Sequence, residues 1–316
     1  MHPSHARWLR ILGGAFAANL LGWTVTVLYA WIFRRTMTEA PKVHEIAAIT
    51  LYPNFVLVPM AMGIVAAYFW QRLEMRTLGY LGCALLTVAM CVAGAYLLVK
   101  EGAVCLLIAS PILWSALFAG SLIGRVIFRK VDNRLRLVIF PVVILAIFAE
   151  GKIARERAGI VTDQIVVAAP PAEVWQHVVA FPRITDEPDY WLNKVGLPSA
   201  AETTCEGEFI GAKRECIFGN GLIFQEVVSE LERPRRLTFD VTEQPNDPEL
   251  LGHVTLHRGQ FELQANPDGS TTLIGRSWYT LHVRPLWYFD WWTRDITREV
   301  HWRVMRHIKQ LAEARG

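Results

Sequence analysis

The stretch Ile165-Val166-Val167-Ala168-Ala169-Pro170-Pro171-Ala172-Glu173-Val174-Trp175 changes its period in the middle. Ile165 to Ala169 is β-branched and then small, which reads as a strand, and the two prolines end it. Proline is tolerated where a helix begins, because an N–H there has no partner inside the helix. A short helix is therefore predicted over Ala172 to Ala180.

Towards the C-terminus, alternating runs separated by turn residues predict strands at Lys213 to Phe218, Leu222 to Leu231, Arg236 to Val241, Gln260 to Ala265 and Thr271 to Val283. Asn266-Pro267-Asp268-Gly269 is a hairpin turn between the last two. A closing helix over Asp290 to Ala314 carries Trp292, Ile296, Val300, Val304, Ile308 and Leu311 at helical spacing, with Arg294, Arg298, Arg303, Arg306 and Lys309 on its other face. The expected fold is α+β, an antiparallel sheet curved around one long C-terminal helix with space for a ligand between them.

The residues quoted above, together with Gly211-Ala212-Lys213-Arg214, Gln225-Glu226-Val227-Val228, Arg233-Pro234-Arg235-Arg236-Leu237 and Gly269-Ser270-Thr271-Thr272-Leu273, resemble the SRPBCC superfamily. This superfamily holds the START-related and polyketide cyclase/dehydrase-like helix-grip domains. The resemblance covers roughly Thr162 to Glu313, within a domain placed at 160–316, and rests on the order and spacing of these pieces. It implies binding of a lipid, sterol, polyketide or other hydrophobic molecule. Only some members are enzymes, so a cyclase- or dehydrase-like activity and a sensor or interaction module stand as alternatives.

Strand parity puts Leu237, Phe239 and Val241 on one face, as it does Phe261 with Leu263, and Leu273, Gly275, Ser277, Tyr279 and Leu281. With Trp292, Ile296 and Val300 these residues either line a cavity or fill a core. An inward Tyr279 needs a hydrogen-bond partner from protein or ligand. Arg214 shares its face with Cys216 and Phe218, and either meets an anionic head group inside or stands in solvent at a strand end, the second being favoured. The candidate ligand contacts are thus Arg214, Phe218, Phe239, Phe261, Leu273, Tyr279, Trp292, Ile296 and Val300.

The acidic loop Asp186, Glu187 and Asp189 would supply a catalytic acid or base, or simply be hydrated, and hydration is favoured. No Ser/His/Asp arrangement, phosphate loop or cofactor motif is legible, so no catalytic residue and no cofactor are assigned. His253 and His257 lack a third ligand, and no metal is expected. Cys205 and Cys216 either face one another across a hairpin around Gly211 or stay free, with free thiols favoured. Five aromatics crowd Pro285 to Trp292, where they gate the cavity, rest at a bilayer interface or pack on the protein's own apolar helices.

The N-terminal half has a different solvent. Residues 1–150 hold 13 Lys and Arg against 6 Asp and Glu, whereas residues 151–316 hold 19 against 23. An acidic soluble half excludes the basic surface that nucleic-acid binding needs. Ile11 to Phe33, Ile46 to Trp70, Leu78 to Val99 and Ala103 to Gly124 contain no Asp, Glu, Lys or Arg and are long enough to span a bilayer. Trp8, Trp31, Arg34, Arg35, Trp70, Arg72 and Lys100 anchor their ends. Leu137 to Ala149 would be a fifth span if Arg136 and Lys152 snorkel, giving a transmembrane region over 1–155 with four to five spans. The cluster Arg129 to Arg136 then favours a cytoplasmic loop and an extracytoplasmic C-terminal domain, whereas a fifth segment that does not span puts the domain inside. Gly120 and Gly124, four apart, predict close helix packing. The expected function is membrane-anchored binding of a lipid or other hydrophobic small molecule.

Overall fold

The computed structural model describes residues 3–36, 55–130, 156–247, 249–250 and 253–314. The chain divides into two compact units, one of Met1–Arg155 with Val283–Pro285 and one of Glu156–His282 with Leu286–Gly316.

In the second unit seven strands form one antiparallel sheet: β1 (Arg157–Val167), β2 (Ala200–Cys205), β3 (Lys213–Phe218), β4 (Ile223–Glu232), β5 (Arg236–Glu243), β6 (Val254–Ala265) and β7 (Thr271–Leu281). The order is β1-β7-β6-β5-β4-β3-β2, so the chain lays down one edge, crosses to the other and returns as a meander to close beside β1. Register shifts between Ala200 and Glu202, between Val228 and Glu230 and between Leu256 and Arg258 add the local bend a curved sheet needs. The hairpin Asn266–Gly269 turns as its sequence requires, with Gly269 at φ +86° and the Asp268 carboxylate accepting from the Ser270 N–H at 3.0 Å.

Helices of this unit and of the first are numbered together: α1 (Pro3–Thr36), α2 (Leu57–Trp70), α3 (Thr77–Gly94), α4 (Ala103–Lys130), α5 (Pro171–Val179) and α6 (Leu286–Glu313). Pro170 and Pro171 open α5 as expected. The long helix α6 touches β1 and β7 near one sheet edge, β2 at the other, and α5. Val304, Met305 and Ile308 of α6 bury against Leu237, Phe261, Leu263 and Leu273 of the sheet and Val174 and Val178 of α5. This is a helix-grip architecture.

Several boundaries differ from expectation, β6 beginning at Val254 rather than Gln260 and α6 at Leu286 rather than Asp290, and two further differences have a physical reason. β1 begins at Arg157 rather than Ile165, because Thr162, Asp163 and Gln164 interrupt its apolar run while the backbone pairs with β7 throughout. β2 has the weak strand sequence Ala-Ala-Glu-Thr-Thr-Cys, and its pairing with β3 holds it in the sheet. That register sets Cys216 opposite Thr203 and Cys205 opposite Arg214, so the two thiols are not paired, and both are free.

The first unit is helical. Among the described residues three helices are long and apolar enough to cross a membrane: His5–Leu28, Thr77–Leu98 and Ala103–Phe128. Of the stretch Ile46 to Trp70, residues 46–54 lie outside the described residues, as does Leu137 to Ala149. Leu78 and Leu98 are 77% and 78% exposed, while small residues mediate the packing inside. A Cβ on Gly63 would stand 2.0 Å from the Leu117 carbonyl oxygen, one on Gly120 2.0 Å from that of Met60, and one on Gly124 2.7 Å from the Ala67 Cβ, so α2 and α4 meet backbone to backbone. Polar side chains bond to helical carbonyls, Thr87 to Cys83 at 2.8 Å and Asn19 to Ala15 at 2.9 Å and to Thr87 at 3.2 Å, so the hydroxyl and amide N–H groups find partners without water.

Candidate functional site

Between the concave sheet and α6 lies a cavity of about 110 Å³. Its apolar wall includes Phe218 of β3, Phe224 of β4, Phe239 of β5, Phe261 of β6, and Val300 and Val304 of α6. Two aromatic contacts order this wall, Phe218 with Phe224 at 5.3 Å and Phe239 with Phe261 at 6.2 Å between centroids. Space for the Phe239 ring exists because its neighbour in β6 is Gly259.

Into this apolar wall the sheet sets a charge. Arg214 is 3% exposed and Glu226, its partner across β3 and β4, 6%, and the two form an ion pair. The Arg214 guanidinium also donates through Nε to the Val179 carbonyl at 3.3 Å and rests over the Phe239 ring at 4.1 Å. The solvent position favoured for Arg214 is therefore corrected. Glu226 follows the inward parity of Phe224 and Val228, so a carboxylate faces inward to meet the guanidinium. Burial pushes the Glu226 carboxyl up and the Arg214 charge opposes that shift. Burial also pushes the neighbouring Cys216 thiol up to about 12, helped by the Glu226 charge and opposed by Arg214 and the cross-strand Thr203.

The other predicted contacts separate. Leu273 is fully buried in the core. Tyr279 does face inward, and its partner is protein: the hydroxyl donates to Asp290 of α6 at 2.6 Å, below the hydrogen bond that Arg294 makes to the same carboxylate at 3.0 Å. Burial and that bond raise the Tyr279 phenol, with Arg294 and Arg157 opposing. Asp290 is held below its usual range: burial works against its charge, but bonds from Tyr279 and Arg294 and the charges of Arg294 and Arg157 outweigh it. Trp292 packs on Trp191 and Trp291, with centroids 6.2 and 4.7 Å away, outside the cavity wall. In the aromatic run itself Phe289 is buried, whereas Trp287 and Trp291 are exposed.

Ile296 was expected at the centre of the stripe facing the sheet, and this too is corrected. It lines a second cavity of about 170 Å³, formed by α6 and residues 184–200, together with Asp186, Glu187, Asp189 and Arg303. The loop covers a flank of α6 that helical spacing alone left open. The inward line runs instead through His301, Met305, Ile308 and Ala312. Among the described residues no group of three His, Cys, Asp or Glu is placed to hold a metal.

Sequence reasoning overlooked three polar groups at or beside the first cavity: Glu226, His301 and Asp163. Asp163 is buried on the inward parity of Val161 and Val167 in β1, and it meets His301 and Arg298 of α6. Had the strand been read from Arg157, that parity was the available signal.

No family model and no curated protein matches the sequence. Similar solved structures include a protein of Nitrosospira multiformis, 17% identical over 50% of this chain and 100% of that one, with TM-score 0.34. Another is truncated norcoclaurine synthase of Thalictrum flavum, 12% identical over 49% of this chain and 94% of that one, with TM-score 0.34. The same enzyme in complex with dopamine and hydroxybenzaldehyde is 13% identical over 51% and 90%, with TM-score 0.36.

Proposed function

We propose that the C-terminal domain binds a small hydrophobic molecule between its sheet and α6, and that the apolar N-terminal helices anchor it to a membrane. The observation that carries this reading is the cavity itself, walled by five phenylalanines and holding the buried Arg214–Glu226 pair. Binding sites of this kind are apolar with a few convergent polar groups that orient the ligand. At about 110 Å³ the space falls below the roughly 150 Å³ of an engineered cavity that admits benzene. One ring or a short acyl chain suits that volume, and a lipid would place only a chain end in it. Arg214 would turn an acceptor group of the ligand towards the inner wall.

The test is ligand-observed saturation-transfer NMR with 4-ethylphenol on the full chain in detergent. Transfer is expected for the wild type and lost in Val304→Trp, whose indole fills the cavity, with a melting curve showing that the variant is folded. Equal transfer from both proteins, or none from the wild type, would sink the proposal.

A further inference from the structure

The cavity carries a second polar feature, hydrogen-bonded in a line across three elements. Asp163 Oδ2 of β1 lies 2.9 Å from His301 Nδ1 of α6, and His301 Nε2 lies 2.8 Å from Ser277 Oγ of β7. With the carboxylate accepting from Nδ1–H, the neutral tautomer of His301 leaves Nε2 to accept from the Ser277 hydroxyl. Arg298 donates through Nε to Asp163 Oδ1 at 3.1 Å, which occupies the second carboxylate oxygen and fixes the acid against the ring. Asp163 and His301 are 9% and 8% exposed, while Ser277 is only half-buried. Ser277 and His301 both line the apolar cavity.

A clasp between helix and sheet would need satisfied partners and nothing more. Here the end of the chain is a hydroxyl on a cavity wall, within hydrogen-bond distance of the Nε2 of an imidazole that a carboxylate orients. That is the order of groups that activates a serine. We propose that Ser277 is a nucleophile, His301 its general base and Asp163 the positioning residue, and that the site cleaves small hydrophobic esters. This rests on the cavity being a binding site.

In the first step Ser277 Oγ bonds to the ester carbonyl carbon as its proton passes to His301 Nε2. The alcohol then leaves, taking that proton, and the acyl group remains on Ser277. Water adds to the acyl carbon and gives a proton to His301. The acid departs as Ser277 recovers its hydrogen, so ester and water become acid and alcohol. Arg214, among the same lining residues, presents its guanidinium, whose charge is shared with Glu226, to the space in which the carbonyl oxygen becomes negative.

The experiment treats the full chain in detergent with an ethyl fluorophosphonate and maps the adduct by mass spectrometry, then follows hydrolysis of 4-nitrophenyl butyrate. Phosphonylation of Ser277 is expected in the wild type and absent in Ser277→Ala. His301→Gln should slow labelling by about a hundredfold or more. Asp163→Asn should lower kcat by at least about a hundredfold with KM unchanged. Melting curves report whether each variant is folded. An unmodified Ser277 in the folded wild type, or hydrolysis by Ser277→Ala equal to that of the wild type, overturns the proposal. So does an Asp163→Asn protein that melts lower but keeps its kcat, since the chain is then a clasp only. If Ser277 stays unmodified while 4-ethylphenol still binds, the nucleophile falls and the binding cavity stands; if neither reacts nor binds, both fall.

Discussion

On its sheet side α6 sets Val304, Met305 and Ile308 against apolar strand residues, whereas on its loop side Ile296, Glu299, Arg303 and Gln310 border residues 184–200 across a more polar cavity. The polar groups on the two sides are satisfied differently. Towards the sheet, Arg214 is matched by a carboxylate, because a lone charge in that wall would have no water. Towards the loop, Arg303 donates to the backbone carbonyls of Ala200 and Asp186, each at 2.8 Å, and remains partly in solvent. A helix of this kind carries two interfaces, and only one of them behaves as a core.

Removing one partner of the buried pair should produce the largest contrast. Glu226→Ala leaves the Arg214 charge without its match, and chemical denaturation of the full chain should show a loss of about 3 to 5 kcal/mol. Asp186→Ala, in the loop, should cost under about 1 kcal/mol by the same assay, because its carboxylate sits near water. Comparable losses would mean that the two flanks are not different in kind.

Large-to-small changes on α6 give the next effect. Ile308 is fully buried, so Ile308→Ala should cost about 2 to 5 kcal/mol. Ile296→Ala borders existing space and should cost less than about 2 kcal/mol. Thermal melts of both variants decide this, and a larger loss at Ile296 would restore the stripe expected from the sequence.

The smallest effect compares two similar hydrogen bonds, Tyr279 to Asp290 at 2.6 Å and Tyr190 to Asp295 at 2.7 Å. Tyr279→Phe withdraws a donor from a buried carboxylate and should cost about 1.5 to 3 kcal/mol, whereas Tyr190→Phe should cost under about 1. The pH dependence has a definite sign. Asp290 is depressed in the folded chain, so its contribution is complete above the unfolded value of about 3.9 and is lost as pH falls through the lower folded value. A wild-type melt that declines below about pH 4, with Asp290→Asn declining less, is the expected result.

Legibility in the sequence followed the range of the contacts. The parity of Leu237 and Phe239, and of Phe261 and Leu263, is local, and it placed both rings correctly on the concave face. The hairpin at Asn266 and the glycine spacing at Gly120 are local too. What escaped were features fixed from a distance: β2 by pairing, the register shift between Leu256 and Arg258, and the loop that claims Ile296. Asp163 and His301 lie 138 residues apart, and no spacing rule connects them. A histidine between Val300 and Val304 reads locally as one residue of an amphipathic helix, since its meaning depends on which two strands stand opposite.

A methyl group at Gly259 would stand 2.3 Å from the Phe239 ring, and that ring supports the Arg214 guanidinium at 4.1 Å. Displacing the ring would therefore tilt a cation that belongs to a different strand and shrink the space beside it at the same time. If the cavity binds as proposed, a backbone position without any functional group would thus set its selectivity. Exchanges at residue 259 would change what the cavity admits and how it is oriented, while Arg214, Glu226, Ser277 and His301 all keep their identities.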